Sequence, residues 1–121
     1  MAEARANHGG DTWMYEFDWK SKAFNGALGA CHALEIPFTF GTLGVNGTDV
    51  FLGTSELPHG LEDLMHKSWA AFIATGNPTT HRLPEWPTYS PTSRTVMRFA
   101  EHTDLTHDPW PSARKSWEGI R

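Results

Sequence analysis

Only one cysteine, Cys31, occurs in the 121 residues, so no internal disulfide framework can hold the chain together. No apolar run approaches the ~18 residues of a membrane span, and a membrane partner is not expected. Basic excess is lacking too. Ten Lys and Arg stand against 14 Asp and Glu, a net charge of −4. Without a basic cluster or stripe, nucleic acid is not expected as a partner. The stretch Met1 to Gly10 lacks the apolar core of a signal peptide. A cytoplasmic setting fits that absence. In a piece of a longer chain, however, such a signal would sit elsewhere. Hydrophobic residues make up only 39%, which is low for a chain that buries a sheet on both faces.

Aromatic residues partly compensate. Six Trp and seven Phe each bury a large area. The length allows at most one domain, small for a doubly wound fold. No internal repeat and no shift in composition divides it.

The chain is organised around Gly29-Ala30-Cys31-His32-Ala33-Leu34-Glu35-Ile36-Pro37-Phe38-Thr39-Phe40-Gly41. Small residues before His32 let backbone approach closely and leave the imidazole unshielded. Leu34, Ile36, Phe38 and Phe40 after it supply an apolar anchor. A histidine at the lip of a buried region suits a general base, which needs a fixed ring facing a substrate pocket. A hydrogen-bonded core histidine has the same surroundings, and on the residues alone that reading is favoured over the general base.

Elsewhere the patterns are structural. Met1 to His8 has helical composition and stops at Gly9-Gly10. Trp13, Tyr15, Phe17 and Trp19 alternate with Met14, Glu16 and Asp18, which predicts a strand with one aromatic face. Lys20 to Leu28 is expected as a surface loop. Leu34 to Phe40 is too short for periodicity to decide between strand and helix. Gly41 to Pro58 carries four glycines and is expected as a loop. Its Asn46-Gly47-Thr48 matches a glycosylation pattern but reads more simply as a turn at Asn46-Gly47. His59 to Thr75 predicts a helix. Its apolar stripe is Leu61, Leu64, Met65, Trp69, Phe72 and Ile73, with Pro58 before it and Gly76 and Pro78 after it. A stripe of this kind could fill a partner's groove, but core packing is the reading it favours. Thr79 to Arg94 is proline-rich around Trp86 and Tyr89. Thr95 to Phe99 reads as a short strand at an edge or in a hairpin.

Seven histidines invite a metal reading. None forms His-Glu-x-x-His or pairs with Cys31 at ligand spacing, and His59 and His66 lie two helical turns apart. No metal and no organic cofactor is expected. Cys31 beside His32 suggests a Cys-His nucleophile. Adjacent residues usually diverge in direction, however, and no third orienting group is evident.

The segment Gly29 to Gly41 resembles the region around the catalytic histidine of the type-B carboxylesterases, the family of the bacterial para-nitrobenzyl esterases and the cholinesterases. Thr12 to Trp19, Leu61 to Pro78 and Leu83 to Pro91 resemble the flanking segments of that family, in order. The likeness covers most of the chain, is weakest at both ends, and is nearest the bacterial branch. It implies an α/β class: the C-terminal fragment of an α/β-hydrolase fold spanning residues 1–121. That fragment would hold one or two sheet strands, a histidine loop, one long amphipathic helix and a Pro/Trp-rich tail. It further implies that Leu34 to Phe40 is helical, that His32 is the catalytic histidine, and that Cys31 and Leu34 line the pocket beside it.

The resemblance also defines what is not here. The triad of this fold runs nucleophile, acid, histidine, with the serine in Gly-x-Ser-x-Gly. Ser21, Ser55, Ser68, Ser90, Ser93, Ser112 and Ser116 all lack that frame. None of Glu3, Asp11, Glu16 and Asp18 matches the family's acid position, and Glu35 belongs to the histidine motif. The expected function is therefore that of a serine esterase acting on small-molecule carboxylic esters, of which this chain supplies the histidine and is inactive alone. The expected partner is the missing N-terminal part of the same domain. Without it, strand Thr12 to Trp19 would have unpaired edges and an exposed aromatic face, and the chain would self-associate or be marginally stable. A second reading stays open: a non-catalytic, partner-binding remnant, since some relatives in the superfamily are adhesion modules.

Overall fold

The computed structural model describes residues 1–45, 47–54 and 56–120. A short helix, α1 (Ala2–Asn7), leads to strand β1 (Tyr15–Phe17). A 3₁₀ turn at Ala23–Gly26 follows, then helices α2 (Ile36–Phe40), α3 (Thr48–Leu52) and α4 (His59–Thr75). Strands β2 (Thr95–Phe99) and β3 (Asp104–His107) form a hairpin, and α5 (Pro111–Ser116) follows. The sheet order is β1-β2-β3. β1 runs parallel to β2, with Tyr15 opposite Met97 and Phe17 opposite Phe99. β3 runs antiparallel to β2, with Thr95 opposite His107.

The sheet thus has three strands where one or two were expected. β2 lies in a hairpin with β3, one of the two placements expected, and β1 on its other side makes it central rather than an edge strand, which explains why Thr95, Val96, Met97 and Phe99 are all buried. A strand covered on both faces and both edges shows no alternation.

Helix α4 forms where the apolar spacing places it. Leu61, Met65 and Ser68 are buried on one face. The stripe does not continue inward to its end: Phe72 is 48% exposed and Ile73 is 82% exposed. Gly76 ends the helix in the left-handed conformation at φ 78°, donating its N–H to the Phe72 carbonyl at 2.8 Å. Glycine takes this conformation without steric cost.

The aromatic face of β1 is covered only in part: Trp19 is buried, while Tyr15 stays 40% exposed. Phe38 of α2 packs on Phe17 and Trp19 at centroid distances of 5.1 and 5.3 Å. Trp69 of α4 meets Tyr15 at 4.8 Å and Phe99 at 6.1 Å. These pairs hold the two helices against one sheet face. The core of Trp19, Leu34, Phe38, Met65, Met97 and Phe99 fills the space between.

Two stretches expected as loops carry more structure. Gly41 to Pro58 contains α3, whose Leu52 is buried. Asn46 and Ser55 lie outside the described residues, so the turn expected at Asn46-Gly47 is described only at Gly47. Lys20 to Leu28 is not a plain surface loop, because Ser21 and Ala23 are buried. Ser21 donates its hydroxyl to the Phe51 carbonyl at 2.8 Å and accepts the Ala23 N–H at 3.0 Å.

The tail is held by charge. Arg114 of α5 grips both oxygens of Asp108, each at 2.9 Å, and Arg98 grips Asp104 across the hairpin at 2.9 and 2.8 Å. The hydrogen bond from Arg114 holds the Asp108 carboxyl below its ordinary value of 3.8. Arg98 does the same for Asp104. A depressed folded pKa adds stability above the unfolded value, and that stability is lost as pH falls through the folded one. The melting temperature should therefore drop as pH is lowered below 3.8. Asp108→Asn should flatten part of that slope. Added salt should weaken it too, since both carboxylates face solvent. Melts at stepped pH with and without salt check this.

Candidate active site

The His32 loop is fixed at both ends. At its start, Ser21 and Gly29 form an isolated antiparallel bridge, with the Ser21 N–H donating to the Gly29 carbonyl at 3.1 Å. Gly29 sits at φ 56°. At its far end, Leu34 and Phe38 are both 0% exposed. Between these anchors the chain makes tight turns, with the Leu34 N–H donating to the Cys31 carbonyl and the Ile36 N–H to the Ala33 carbonyl, each at 3.2 Å. Ala33, directly after His32, stands at φ 66°. A residue with a Cβ is strained there by about 1 kcal/mol. Backbone strain of this kind concentrates where a side chain must be aimed. Nothing in the sequence signals it, because alanine has no preference for that region.

The His32 side chain is exposed. Among the described residues, the rings of His8, His59, His66 and His107 each take a hydrogen bond; those of His32, His81 and His102 are not among them. Cys31 is half-buried and packs against the core. Leu34 lies wholly inside it, so it anchors the loop from below. Glu35 makes no capping bond at the start of α2. Its carboxylate instead acts on Tyr15, whose phenol is pushed up mainly by burial and further by Glu35.

Helix α2 is locked onto α4, which fixes the loop from behind. His66 donates from Nδ1 to the Thr39 carbonyl at 3.0 Å. Glu62 accepts the Leu43 N–H at 3.0 Å on one oxygen and the His59 Nδ1 proton at 2.7 Å on the other. Gly41, at φ 68°, lies against the His66 ring. His59 and His66 therefore act in packing and capping.

The described serines offer His32 no evident nucleophile. Ser21 and Ser68 are buried and donate to the carbonyls of Phe51 and Leu64. Ser90 and Ser93 bond each other, and Ser116 donates to the Ser112 carbonyl. Ser55 lies outside the described residues. Among the described residues no group of three or more His, Cys, Asp or Glu could hold a metal ion, and no helix is long and apolar enough to cross a membrane.

Comparison with known proteins now bears on this geometry. The sequence model of the carboxylesterase family matches residues 1–116. The chain is 32% identical over 114 residues to the para-nitrobenzyl esterase of Bacillus subtilis, covering 90% of this chain and 22% of that protein. It is 39% identical over 82 residues to the phenmedipham hydrolase of Pseudarthrobacter oxydans, covering 62% of this chain and 16% of that one. A carboxylesterase of Geobacillus stearothermophilus superposes over 97% of this chain and 24% of its own, with TM-score 0.80 and 33% identity. A para-nitrobenzyl esterase structure superposes over 94% of this chain and 23% of its own, with TM-score 0.81 and 30% identity. The chain thus spans about a fifth of the length of these curated relatives. With its sequence matched almost throughout and its strands and helices superposing on solved esterases, the chain belongs to the carboxylesterase family and carries part of an α/β-hydrolase fold.

Proposed function

We propose that this chain is the histidine-bearing, C-terminal part of a serine carboxylic ester hydrolase, with His32 as the general base. The observation that carries the reading is the exposed His32 ring, held between the Ser21–Gly29 bridge and the buried Leu34 in a segment that resembles the family's catalytic-histidine motif. In the assembled site the His32 ring would take the serine hydroxyl proton as that oxygen attacks the ester carbonyl. It would then return the proton to the departing alcohol, leaving an acyl-serine for water to hydrolyse. A general base contributes ~10²–10⁴-fold, and only with a nucleophile positioned for it. The serine, the acid and the oxyanion donors belong to the rest of the domain. Donors of that kind often supply the largest single stabilisation, so this chain alone should not turn over.

The test is hydrolysis of p-nitrophenyl acetate by the purified chain and by its His32→Ala variant. Equal rates are expected. A rate that vanishes in the variant would mean that the chain holds its own nucleophile, and Cys31→Ser would be the next substitution.

A further inference from the structure

We propose that Asn25 is a site of self-modification: its side-chain amide cyclises onto the backbone nitrogen of Gly26, and the isoaspartate that follows displaces the start of the His32 segment. Neither the reaction nor its effect on the loop depends on His32 acting as the base.

Three features meet at this pair. The first is access. Lys22, Phe24, Asn25, Gly26 and Ala27 are all exposed, and Phe24 is 73% exposed. A Cβ built on Gly26 would meet only the Ser21 carbonyl, at 4.0 Å. Glycine leaves its own nitrogen unshielded, and the surroundings add no screen. The second is strain. Phe24 and Asn25 stand at φ 52° and 56°. Asparagine tolerates this left-handed region, whereas the Cβ of a phenylalanine crowds the following carbonyl. Opening this turn relieves that crowding, and opening lets Cγ of Asn25 reach the Gly26 nitrogen. The third is position. The turn lies inside a closed stretch, where the Ser21 N–H donates to the Gly29 carbonyl and the Gly29 N–H to the Gly26 carbonyl, each at 3.1 Å. His32 lies just beyond Gly29.

The Gly26 nitrogen gives its proton to hydroxide and attacks Cγ of Asn25. An N–Cγ bond forms, the Cγ–Nδ2 bond breaks, and Nδ2 departs as ammonia with a proton from water. The reacting groups sit on adjacent residues and need no encounter. Water then opens the five-membered imide at either carbonyl. Opening at Cγ gives aspartate. Opening at the main-chain carbonyl carbon of Asn25 gives isoaspartate, whose backbone runs through Cβ and Cγ and is longer by one atom. Either product adds one negative charge to a chain of net charge −4.

The added atom must be absorbed on one side of the turn. Ser21 is 1% exposed. Its hydroxyl donates to the Phe51 carbonyl at 2.8 Å, and the Lys22 N–H donates to the Leu52 carbonyl at 2.8 Å. That side yields only by parting from α3. Gly29 is half-buried and Ala30 is exposed, so the Gly29 side gives way and carries Cys31 and His32 with it.

The experiment incubates the purified chain at 37 °C, at pH 7 and at pH 8.5, over several days. The tryptic peptide of residues 23–67 should gain one mass unit. Asn46 lies in the same peptide, so fragmentation assigns the gain to Asn25. An endoproteinase that cuts before aspartate but not before isoaspartate should show isoaspartate in excess. Conversion should be about tenfold faster at the higher pH, since the attacking form is the deprotonated amide. Asn25→Gln should stop it at this position. In the converted fraction, separated by ion exchange, the Ser21 amide should exchange about tenfold faster, with the Lys22 amide unchanged. Freshly prepared Asn25→Asp carries the charge without the added atom, and its Ser21 amide should stay as slow as in the unmodified chain. No gain at Asn25 in the folded chain, or a gain only in urea, would overturn the proposal. So would a converted chain whose Ser21 amide is unchanged, or an Asn25→Asp variant that speeds it equally.

Discussion

In a carboxylesterase chimera that carries this chain in place of its own matching segment, His32→Ala should lower kcat for p-nitrophenyl acetate by at least ~10³-fold. That corresponds to about 4 kcal/mol of transition-state stabilisation. The KM should change little, because the ring acts on a proton in flight rather than on the bound ester. Folding should be indifferent. The side chain is exposed, and its loop is held by the Ser21–Gly29 bridge and by Leu34, so the melting temperature of the variant should match the parent. Imidazole added to the buffer should restore part of the lost rate in His32→Ala and add nothing to the parent. A variant that retains full turnover would remove His32 from the chemistry. A variant that loses turnover and melts early would show that the ring holds the loop rather than moves a proton.

Gly53→Ala should cost the chain about 3 kcal/mol or more. Gly53 ends α3 at φ 71°. A Cβ placed there would lie 1.9 Å from the Ala23 nitrogen, 2.3 Å from its Cα and 2.4 Å from the Lys22 carbonyl carbon. All three are backbone atoms, so no rotamer change can relieve the clash. Only separation of α3 from the 3₁₀ turn can, and it would break the bond from the Lys22 N–H to the Leu52 carbonyl at 2.8 Å. The Ser21 hydroxyl bond to Phe51 lies on the same seam. Gly60→Ala is the control. Gly60 sits within α4, and a Cβ there meets nothing within 4 Å. That substitution should stabilise by ~0.5–1 kcal/mol through lost backbone freedom in the unfolded chain. Equilibrium unfolding in urea of the two variants checks both signs. The Gly53 variant should also lose activity in the chimera, since Ser21 pins the start of the His32 loop.

How far the fold could be read depended on how local its cause was. Helix α4 was legible from end to end, because Leu61 and Met65 repeat at helical spacing and Gly76 and Pro78 stop them. The alternation of Trp13 to Trp19 announced β1, although ladder pairing covers only Tyr15–Phe17. β3 was not legible: Asp104-Leu105-Thr106-His107 is short and half-polar, and it is a strand because β2 runs beside it. α3 was hidden by Gly44, Gly47 and Gly53, which read as loop punctuation. The buried Ser21 was hidden because its partner carbonyls belong to Phe51 and Leu52, thirty residues away. At the candidate site the residue types and their order were readable from Gly29 to Gly41. The left-handed Ala33 was not, since only the assembled loop imposes it. Nor was the partial cover over the aromatic row, which depends on α2 and α4 packing against β1.

That parallel pairing of β1 with β2 also sets an order of assembly. The two strands lie near opposite ends of the chain, whereas α2 and α4 are near neighbours in sequence and already share the Thr39–His66 and Leu43–Glu62 bonds. Closing a long loop costs entropy before its contacts return anything, and distant pairings slow folding. The α2–α4 unit is expected to form first and the β1–β2 ladder last. During synthesis β1 emerges long before β2. Trp13, Tyr15, Phe17 and Trp19 therefore wait for the cover of α2 and α4 and for pairing with β2 until those later residues are made, an interval in which the nascent strand is exposed to aggregation.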